Sequence, residues 1–273
     1  MIATAYEDFQ AWMTEPLTVS PTYSVVVPAY NEAIRILPTI GAIAAHMSSL
    51  GEPWELIVAD DGSKDETVAL LSDLHLANLV VLIAAKNGGK GSAVRRGVAA
   101  ARGAYILIAD ADQSTPIEQF STLLRAITHR HFDISIGSRA ASGAQVSSKG
   151  LLRRTLSFGL HVMVKVLFGL GIHDTQCGFK LFTQEAARDL FARQIIDGFS
   201  FDLEVLYLAS HHGYKIAEIP VEWIDAPGST VDAAKVALQF VVDLVGIRVN
   251  DFRGVYQAHR PLPASVTAVV APS

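Results

Sequence analysis

This chain of 273 residues has one cysteine, no excess of positive charge and no long apolar run. Each of these absences excludes a class of protein or a kind of site. The single cysteine, Cys177, excludes an intrachain disulfide, so nothing in the sequence points to an oxidising compartment. The net charge of −5 excludes a basic coat for nucleic acid. The nine histidines lack the spacing of a zinc site, so we expect no zinc.

No segment predicts a membrane-spanning helix, although half of the residues are apolar and the mean hydropathy is +0.31. A span needs about 20 mostly apolar residues, whereas the best uncharged runs, 76–85 and 155–164, hold 10 each. The first 16 residues lack the basic and apolar regions of a signal peptide. We therefore expect a cytoplasmic protein whose surplus apolar surface forms a core, a partner surface or a membrane face.

Between residues 23 and 137, short apolar runs alternate with helical patterns. Runs rich in Val, Ile and Leu predict strands buried on both faces at 23–27, 54–60, 79–84, 104–109 and 133–137. Helical patterns lie between them at 38–50, 65–76, 91–102 and 116–129. This alternation is typical of βαβ units, so we expect an α/β fold with a Rossmann-like, mainly parallel sheet flanked by helices.

The second half of the chain predicts fewer strands and longer apolar helices. Strands are expected at 180–182 and 216–223, and helices at 149–170, 201–211 and 231–250. The C-terminal helices are expected to be amphipathic, and they either pack on the sheet or lie in a membrane surface. The predicted division is an N-terminal arm at 1–22, a catalytic domain at 23–230, a C-terminal helix at 231–257 and a disordered tail at 258–273.

Two carboxylates, Asp110 and Asp112, follow the predicted strand 104–109. Their spacing lets them share one Mg²⁺ or Mn²⁺ ion, with phosphate and water as the other ligands. The alternative is a capped turn, because Thr115 has the position of an N-cap for the next helix.

A second acidic pair, Asp60 and Asp61, also follows a strand, at the edge where open α/β sheets bind ligands. One explanation of the pair is a simple turn, because the sequence Asp-Gly-Ser is common in turns. The alternative is that a carboxylate accepts a hydrogen bond from a base N–H or a ribose hydroxyl. The Ser-x-x-Glu pattern at 63–66 predicts a capping box for the following helix.

A glycine-rich loop, NGGKGSA at 87–93, joins a predicted strand to a helix. It fits neither the P-loop nor the dinucleotide fingerprint, so it is either a phosphate- or sugar-facing loop of another kind or a plain turn. Arg139 and Arg153 follow later and suit phosphate, although a solvated helix face also explains Arg153. Asp202 and Glu204 open a helix and could simply offset its dipole.

Taken together, these motifs resemble the family 2 glycosyltransferases of the GT-A fold, over roughly residues 23–256. Six segments carry the resemblance, in the family's order: VVVPAYNEAIRI, ELIVADDGSKDET, NGGKGSAVRRG, ILIADADQSTP, IGSRA and DTQCGFKLF. Within the family the chain looks like the polyprenyl-phosphate sugar transferases. FDLEVLY and IAEIPVEW favour the dolichyl-phosphate β-glucosyl branch over the mannosyl branch.

The resemblance implies a role for each group of site residues. The implied donor-binding residues are Pro28, Tyr30, Glu32, Asp61, Lys90, Gly91 and Asp110. Asp110 and Asp112 would bind Mg²⁺ or Mn²⁺ with the donor diphosphate, and Arg139 and Arg153 would hold the acceptor phosphate. The implied catalytic residues are Asp112, Arg139 and Asp174. The mannosyl branch has a glutamine ligand two residues past the second aspartate, whereas here Gln113 follows Asp112 directly.

The implied activity is inverting transfer of a hexose, glucose from UDP-glucose, to polyprenyl or dolichyl phosphate, which gives a β-linked product. A membrane surface is an implied partner and nucleic acid is not, so the expected location is cytoplasmic, as a peripheral protein on the cytoplasmic membrane face. Three alternatives stay open at this point: another donor such as GDP-mannose or UDP-GlcNAc, a soluble acceptor, and a nucleotide-sugar-binding subunit without catalysis.

Overall fold

The computed structural model describes residues 19–74, 76, 78–146, 164, 168–224, 233–258 and 268–269. The strands in these ranges are β1 Tyr23–Ala29, β2 Trp54–Asp60, β3 Leu79–Ile83, β4 Tyr105–Ile108, β5 Ile134–Ser138, β6 Gln145–Val146, β7 Lys180–Thr183, β8 Ile216–Pro220, β9 Glu222–Trp223 and β10 Ala268–Val269. The α-helices are α1 Ile36–Ser49, α2 Thr67–Ser72, α3 Lys90–Ala100, α4 Phe120–Arg130, α5 Gln184–Arg193, α6 Phe201–His211 and α7 Ala233–Phe252. Short 3-10 helices occupy Ile117–Gln119 and Val255–Gln257.

The main sheet has eight strands in the order β10-β3-β2-β1-β4-β7-β5-β8. Strands β3, β2, β1 and β4 are parallel to one another, as are β5 and β8, whereas β7 runs antiparallel to both β4 and β5. The prediction of a mainly parallel α/β sheet is therefore confirmed. Because β7 reverses direction between them, β4 and β5 are parallel, and their carboxyl ends lie at the same edge.

Both faces of the sheet are covered by helices, which explains the continuous apolar runs in the strands. Val25 and Val27 of β1 pack with α1 and α4 on one face, whereas Val26 packs with α3, α5 and α6 on the other. Successive strand residues point to opposite faces. Every residue of β1 and β2 is buried, so neither strand has a solvent side.

Two parts of the second half differ from the expected pattern. The helix α5 was not predicted, because half of its sequence QEAARDLFAR is polar and its only large apolar side chains are the buried Leu190 and Phe191. The expected strand 216–223 divides into β8, which pairs with β5, and β9, which pairs with β6 in a separate two-stranded sheet. Pro220 lies at the division and has no N–H to continue the first ladder.

Both predicted helix caps are wrong. Helix α2 begins at Thr67 without a side-chain cap, because the Ser63 hydroxyl donates to Asp60 instead. The segment after Thr115 begins as a 3-10 helix without a side-chain cap, and the Thr115 hydroxyl lies 3.8 Å from the Cys177 sulfur. The Ser63 hydroxyl also accepts the N–H of Asn31 at 2.9 Å, so in both places the side chain has a tertiary contact instead of the helix cap.

The outer segments of the chain lie largely outside the described residues. These include 1–18, most of the expected helix 149–170 with Arg153, and most of the expected disordered tail. Within that tail, Ala268–Val269 pair antiparallel with β3, so the expectation of disorder is wrong for these two residues. Helix α7 agrees with the expected helix at 231–250. Across the described ranges, no helix is both long and apolar enough to cross a membrane.

Candidate active site

The acidic motifs lie at one edge of the sheet, where the carboxyl ends of the parallel strands meet. Tyr30 follows β1, Asp61 follows β2, Asp110 follows β4 and Lys90 begins α3. Strand β1 lies between β2 and β4, so the strand order reverses at this point. A reversal of this kind opens a crevice that binds ligands in open α/β sheets.

The two carboxylates after β2 have different environments. Asp60 accepts hydrogen bonds from the backbone N–H groups of Gly62 at 2.9 Å and Ser63 at 3.1 Å, so it shapes its own turn. The buried Asp61 accepts from the N–H of Gly89 at 2.6 Å and from Arg96 at 3.2 Å. Asp61 therefore ties the end of β2 to the glycine-rich loop.

The glycines of that loop are required by the chain's own packing. At Gly89, where φ is +99°, a Cβ atom would lie 2.4 Å from the carbonyl oxygen of Asp197. At Gly91 a Cβ atom would lie 2.5 Å from the carbonyl oxygen of Ile196. Ser92 donates its N–H to the same Asp197 carbonyl at 3.1 Å. The segment 196–197 therefore explains why neither Gly89 nor Gly91 can carry a side chain.

Asp110 lies between a lysine and a glycine. The ammonium of Lys90 donates to Asp110 Oδ1 at 2.6 Å. On the other side, a Cβ atom at Gly178 would lie 1.9 Å from Asp110 Oδ2, so no larger residue fits there without displacing the carboxylate. Gly178 belongs to the DTQCGFK turn, which had no assigned role by residue type alone.

Asp202, at the start of α6, links this site to a second lysine. It pairs with the buried ammonium of Lys180, which also donates to the Cys177 carbonyl oxygen. Burial would lower the pKa of Lys90, yet the charges of Asp110 and then Asp202 raise it above its usual value. Burial raises the pKa of Asp202, against the opposing charges of Lys180 and Lys90. Asp202 therefore acts on both lysines, a role that its position at a helix start concealed.

Asp110 and Asp112 are the residues that the resemblance assigns to a divalent cation. Asp112 accepts the N–H of Ser114 at Oδ1, 2.9 Å away. Gln113, at φ +53°, donates its side-chain N–H to Thr39 at 3.3 Å, so its amide faces α1. No set of three His, Cys, Asp or Glu side chains that could hold a metal occurs in the described part of the chain. Two carboxylates are hard ligands that suit Mg²⁺ or Mn²⁺ when phosphate and water complete the coordination.

The expected donor residues after β1 divide between core and crevice. Pro28 is buried within the strand, opposite Ala59, whereas Tyr30 is 39% exposed. Glu32 accepts from Arg35 at 2.6 Å. Its pKa is raised by burial and then by the charges of Asp112 and Asp110, although Arg35 opposes the shift. Tyr30 and Glu32 are thus at the crevice, and Pro28 is in the sheet beneath it.

At the carboxyl end of β5, Arg139 and Asp174 form a two-pronged ion pair. Arg139 Nε donates to Asp174 Oδ2 at 2.7 Å and Nη2 donates to Oδ1 at 2.9 Å. Burial would raise the pKa of Asp174, but Arg139 outweighs it and lowers the pKa to about 2. Against the lowering effect of burial, Asp174 raises the pKa of Arg139, and the charge of Asp110 adds a smaller contribution in the same direction.

Two further residues hold this ion pair in place, and neither was expected from the sequence. The Glu218 carboxylate accepts hydrogen bonds from the backbone N–H of Asp174, at 2.9 Å, and from the backbone N–H of His173. It also contacts the Nδ1 atom of the His173 ring. The guanidinium carbon of Arg139 lies 5.7 Å from the centre of the Trp223 ring, a cation–π distance. Both supports belong to the segment IAEIPVEW, whose pattern identified strands but not their side-chain contacts.

Comparison of the sequence with known proteins shows which proteins this chain is similar to. A model of the glycosyl transferase family 2 matches residues 24–191. The dolichyl-phosphate β-glucosyltransferase of Dictyostelium discoideum is 36% identical over 248 residues, which cover 86% of this chain and 76% of that protein. The human dolichyl-phosphate β-glucosyltransferase is 35% identical over 87% of this chain and 79% of its own length.

Solved structures agree on the fold. Glucosyl-3-phosphoglycerate synthase from Mycobacterium tuberculosis, in complex with Mn²⁺, UDP and glucosyl-3-phosphoglycerate, has a TM-score of 0.62 at 19% identity, covering 89% of this chain and 83% of that one. Mannosyl-3-phosphoglycerate synthase from Rubrobacter xylanophilus has a TM-score of 0.65 at 18% identity, covering 96% and 82%. At these identities the likeness concerns the fold.

Proposed function

The chain belongs to glycosyltransferase family 2, and we propose that it transfers glucose from UDP-glucose to the phosphate of a polyprenyl lipid such as dolichyl phosphate. Relatives named for this glucosyl transfer match most of the chain at 33–37% identity. Asp110 and Asp112 follow β4 and Arg139 follows β5, so all three lie at one edge of the GT-A sheet. An inverting reaction would give a β-linked product.

The observation that carries the proposal is that one turn, 174–178, contacts both Arg139, through Asp174, and Asp110, through Gly178. The acidic pair after β4 suits the diphosphate side of a nucleotide-sugar. The arginine after β5 suits the phosphate of an acceptor, because guanidinium groups bind phosphate through paired hydrogen bonds. Two phosphate-bearing substrates would thus meet between the carboxyl ends of β4 and β5, which lie at one edge of the sheet on either side of β7.

The chemistry follows from the charges of the substrates. A phosphate monoester is already anionic near neutral pH, so it attacks without a general base, and the enzyme has to offset repulsion between two phosphate groups. Arg139 offsets the acceptor charge, and Lys90 offsets charge on the donor side. A bound Mg²⁺ or Mn²⁺, held by Asp110 and Asp112, would supply Lewis-acid stabilisation of the leaving diphosphate.

Asp174 acts in this proposal by orienting Arg139. With a pKa of about 2 it is ionised at neutral pH, carries no proton to donate and is a weak base. Its two hydrogen bonds fix the plane of the guanidinium and leave other N–H groups of Arg139 for the acceptor phosphate. Arg153 lies outside the described residues, and we keep it as a second phosphate ligand on the strength of the family resemblance alone.

We infer that the enzyme works at a membrane surface, because the proposed acceptor is a lipid. Helix α7 supports this through two apolar faces. Phe240, Leu244 and Ile247 pack into the core, whereas an outer stripe is exposed, with Phe252 at 93%. The outer stripe consists of Val242, Val245, Val249 and Phe252. The cytoplasmic face stays part of the proposal, and the single, buried Cys177 is compatible with it.

A panel of donors and acceptors tests the proposal. The purified chain is incubated with Mn²⁺ and UDP-glucose, GDP-mannose or UDP-GlcNAc, each with a polyprenyl phosphate, with 3-phosphoglycerate or with water alone. We expect lipid-extractable product from UDP-glucose and polyprenyl phosphate. Turnover confined to the soluble acceptor would contradict the lipid assignment, preference for another donor would contradict the sugar assignment, and UDP binding without turnover would contradict catalysis.

A further inference from the structure

The carboxylate of Asp110 has two competing positively charged partners, the Lys90 ammonium and the divalent cation of the proposed function. Lys90 donates to its Oδ1 at 2.6 Å, and the divalent cation of the proposed function needs the same carboxylate. Gly178 lies against the other oxygen, so Asp110 has little room to turn away from either. A lysine that is hydrogen-bonded to Asp110 repels a cation at the same carboxylate. It also occupies an oxygen lone pair of Asp110 that the cation would use.

Lys90 has a second negative partner in Asp202. Phe201, the residue before Asp202, packs against Gly91, the residue after Lys90, because a Cβ atom at Gly91 would lie 2.7 Å from the Phe201 Cβ. This packing brings the Asp202 end of α6 beside Lys90, whose ammonium is affected by the charges of both carboxylates. The Asp202 side chain is only 6% exposed and is fixed by the still more buried Lys180. Charges therefore alternate along the series Lys180, Asp202, Lys90 and Asp110. A lysine that leaves Asp110 remains neutralised by Asp202, which keeps it beside the crevice.

We propose that Lys90 competes with the divalent cation for Asp110, and that the donor diphosphate ends the competition by drawing Lys90 onto its own oxygens. Asp202 is the positioning residue that holds Lys90 between the two partners. The inference rests on the proposed function, since it assumes a cation at Asp110 and Asp112 and a diphosphate donor. Its consequence is that cation and nucleotide each strengthen the binding of the other.

This competition differs from the effect of a purely structural ion pair. If Lys90 and Asp110 only stabilised the fold, removal of the ammonium would leave cation affinity unchanged or weaken it through local disorder. If they compete, removal of the ammonium tightens cation binding in the absence of nucleotide. The two roles therefore predict changes of opposite sign, and the measurement needs no catalytic turnover.

The test compares Lys90→Met with wild type and with Lys215→Met, which removes the same charge from an exposed position at the amino end of β8. Mn²⁺ binding to the full chain is measured by the electron paramagnetic resonance of free Mn²⁺, with and without UDP. Without UDP, we expect Lys90→Met to bind Mn²⁺ about three- to tenfold more tightly. With UDP, the strengthening of Mn²⁺ binding should be smaller than in wild type, and UDP itself should bind more weakly.

Two negative results are distinguishable. If Mn²⁺ binds wild type and Asp112→Asn equally, the metal site of the proposed function is wrong and the competition falls with it. If Mn²⁺ binding depends on Asp112 but Lys90→Met leaves the Mn²⁺ affinity unchanged or weaker, the competition alone is overturned. Lys215→Met should match wild type in both measurements.

Asp202→Asn examines the positioning role. Loss of the Asp202 charge leaves Lys90 with Asp110 as its nearest counter-charge, so we expect Mn²⁺ to bind about threefold more weakly without UDP. The buried Lys180 also loses its partner, so thermal unfolding is measured alongside. If the variant does not fold, Lys90→Met decides the competition by itself; a folded Asp202→Asn with unchanged Mn²⁺ affinity would overturn the role of Asp202.

Discussion

The guanidinium of Arg139 and the carboxylate of Asp174 meet through two parallel hydrogen bonds of 2.7 and 2.9 Å, although 35 residues separate them in the chain. A third hydrogen bond runs from the Arg139 backbone N–H to the same carboxylate at 2.9 Å. Asp174 therefore fixes the backbone and the side chain of Arg139 together. This rigidity favours a binding role for the arginine, since a fixed guanidinium loses little entropy when it meets a phosphate.

Arg139→Ala should raise the acceptor KM by about 10- to 100-fold while the donor KM changes little, because charge-assisted paired bonds to phosphate would be lost. Arg139→Lys should recover only part of the loss, since an ammonium lacks the planar fork. The control is Arg125→Ala on the exposed side of α4. Initial-rate kinetics with both substrates varied make the comparison, and equal rises in the two KM values would contradict the acceptor role.

Asp174 should make the protein sensitive to acid. Its pKa in the folded state is about 2, below the ordinary 3.8, so the contribution is fully present above pH 4 and disappears as the pH falls toward 2. The shift corresponds to about 2 kcal/mol of unfolding free energy. Urea unfolding of wild type and Asp174→Asn between pH 2 and pH 7 checks this. The difference between them should shrink at low pH, and a difference independent of pH would count against the ion pair.

Gly178→Ala should disturb Asp110 directly. The added Cβ atom would lie 1.9 Å from Asp110 Oδ2, so the carboxylate has to move. We expect the transfer rate to fall by about 100-fold, because small displacements of reacting groups are costly. Gly171→Ala is a close control, since nothing lies within 4 Å of the Cβ position there and the backbone has no positive φ. Activity of Gly178→Ala equal to that of Gly171→Ala would show that the position of Asp110 is unimportant.

The outer stripe of α7 should contribute to membrane binding. Replacement of Val242 and Val245 by lysine places two charges on an exposed apolar face while the core contacts of Phe240 and Leu244 are kept. We expect sedimentation with neutral liposomes to weaken by about tenfold or more. Val19→Lys, an equally exposed valine on another surface, is the control. Unchanged sedimentation of the double variant would exclude this stripe from the membrane contact.

The first half of the fold could be predicted because its signals are local. Strands β1 to β4 are short apolar runs whose burial on both faces removes any polar alternation, and Asp110 follows the last of them directly. The family's motifs also predicted which residues form the candidate site. Arg139 was expected at the acceptor phosphate and Asp174 among the catalytic residues, but their direct pairing depends on the neighbouring ends of β5 and the DTQCGFK turn, which no local pattern contains.

The features that were missed depend on contacts between distant segments. The glycines at 89 and 91 make room for residues 196–197, about a hundred positions later in the chain. Asp202 meets Lys180 across 22 positions, and Glu218 reaches Asp174 across 44. Ser63 had a good capping pattern, yet its hydroxyl accepts the N–H of Asn31, 32 positions earlier. In each case a tertiary partner decides the role of a side chain whose local sequence favours another.

The most direct measurement of the proposed activity follows label from UDP-[¹⁴C]glucose into the organic phase after incubation with Mn²⁺ and a polyprenyl phosphate. Wild type and Asp112→Asn are compared, with matching circular dichroism spectra to establish that both are folded. We expect lipid-extractable label that depends on the polyprenyl phosphate in wild type, and a loss of about 100-fold or more in Asp112→Asn. Absence of lipid-extractable label from folded wild type, or equal labelling by the two proteins, would contradict glucosyl transfer to a lipid phosphate at this site.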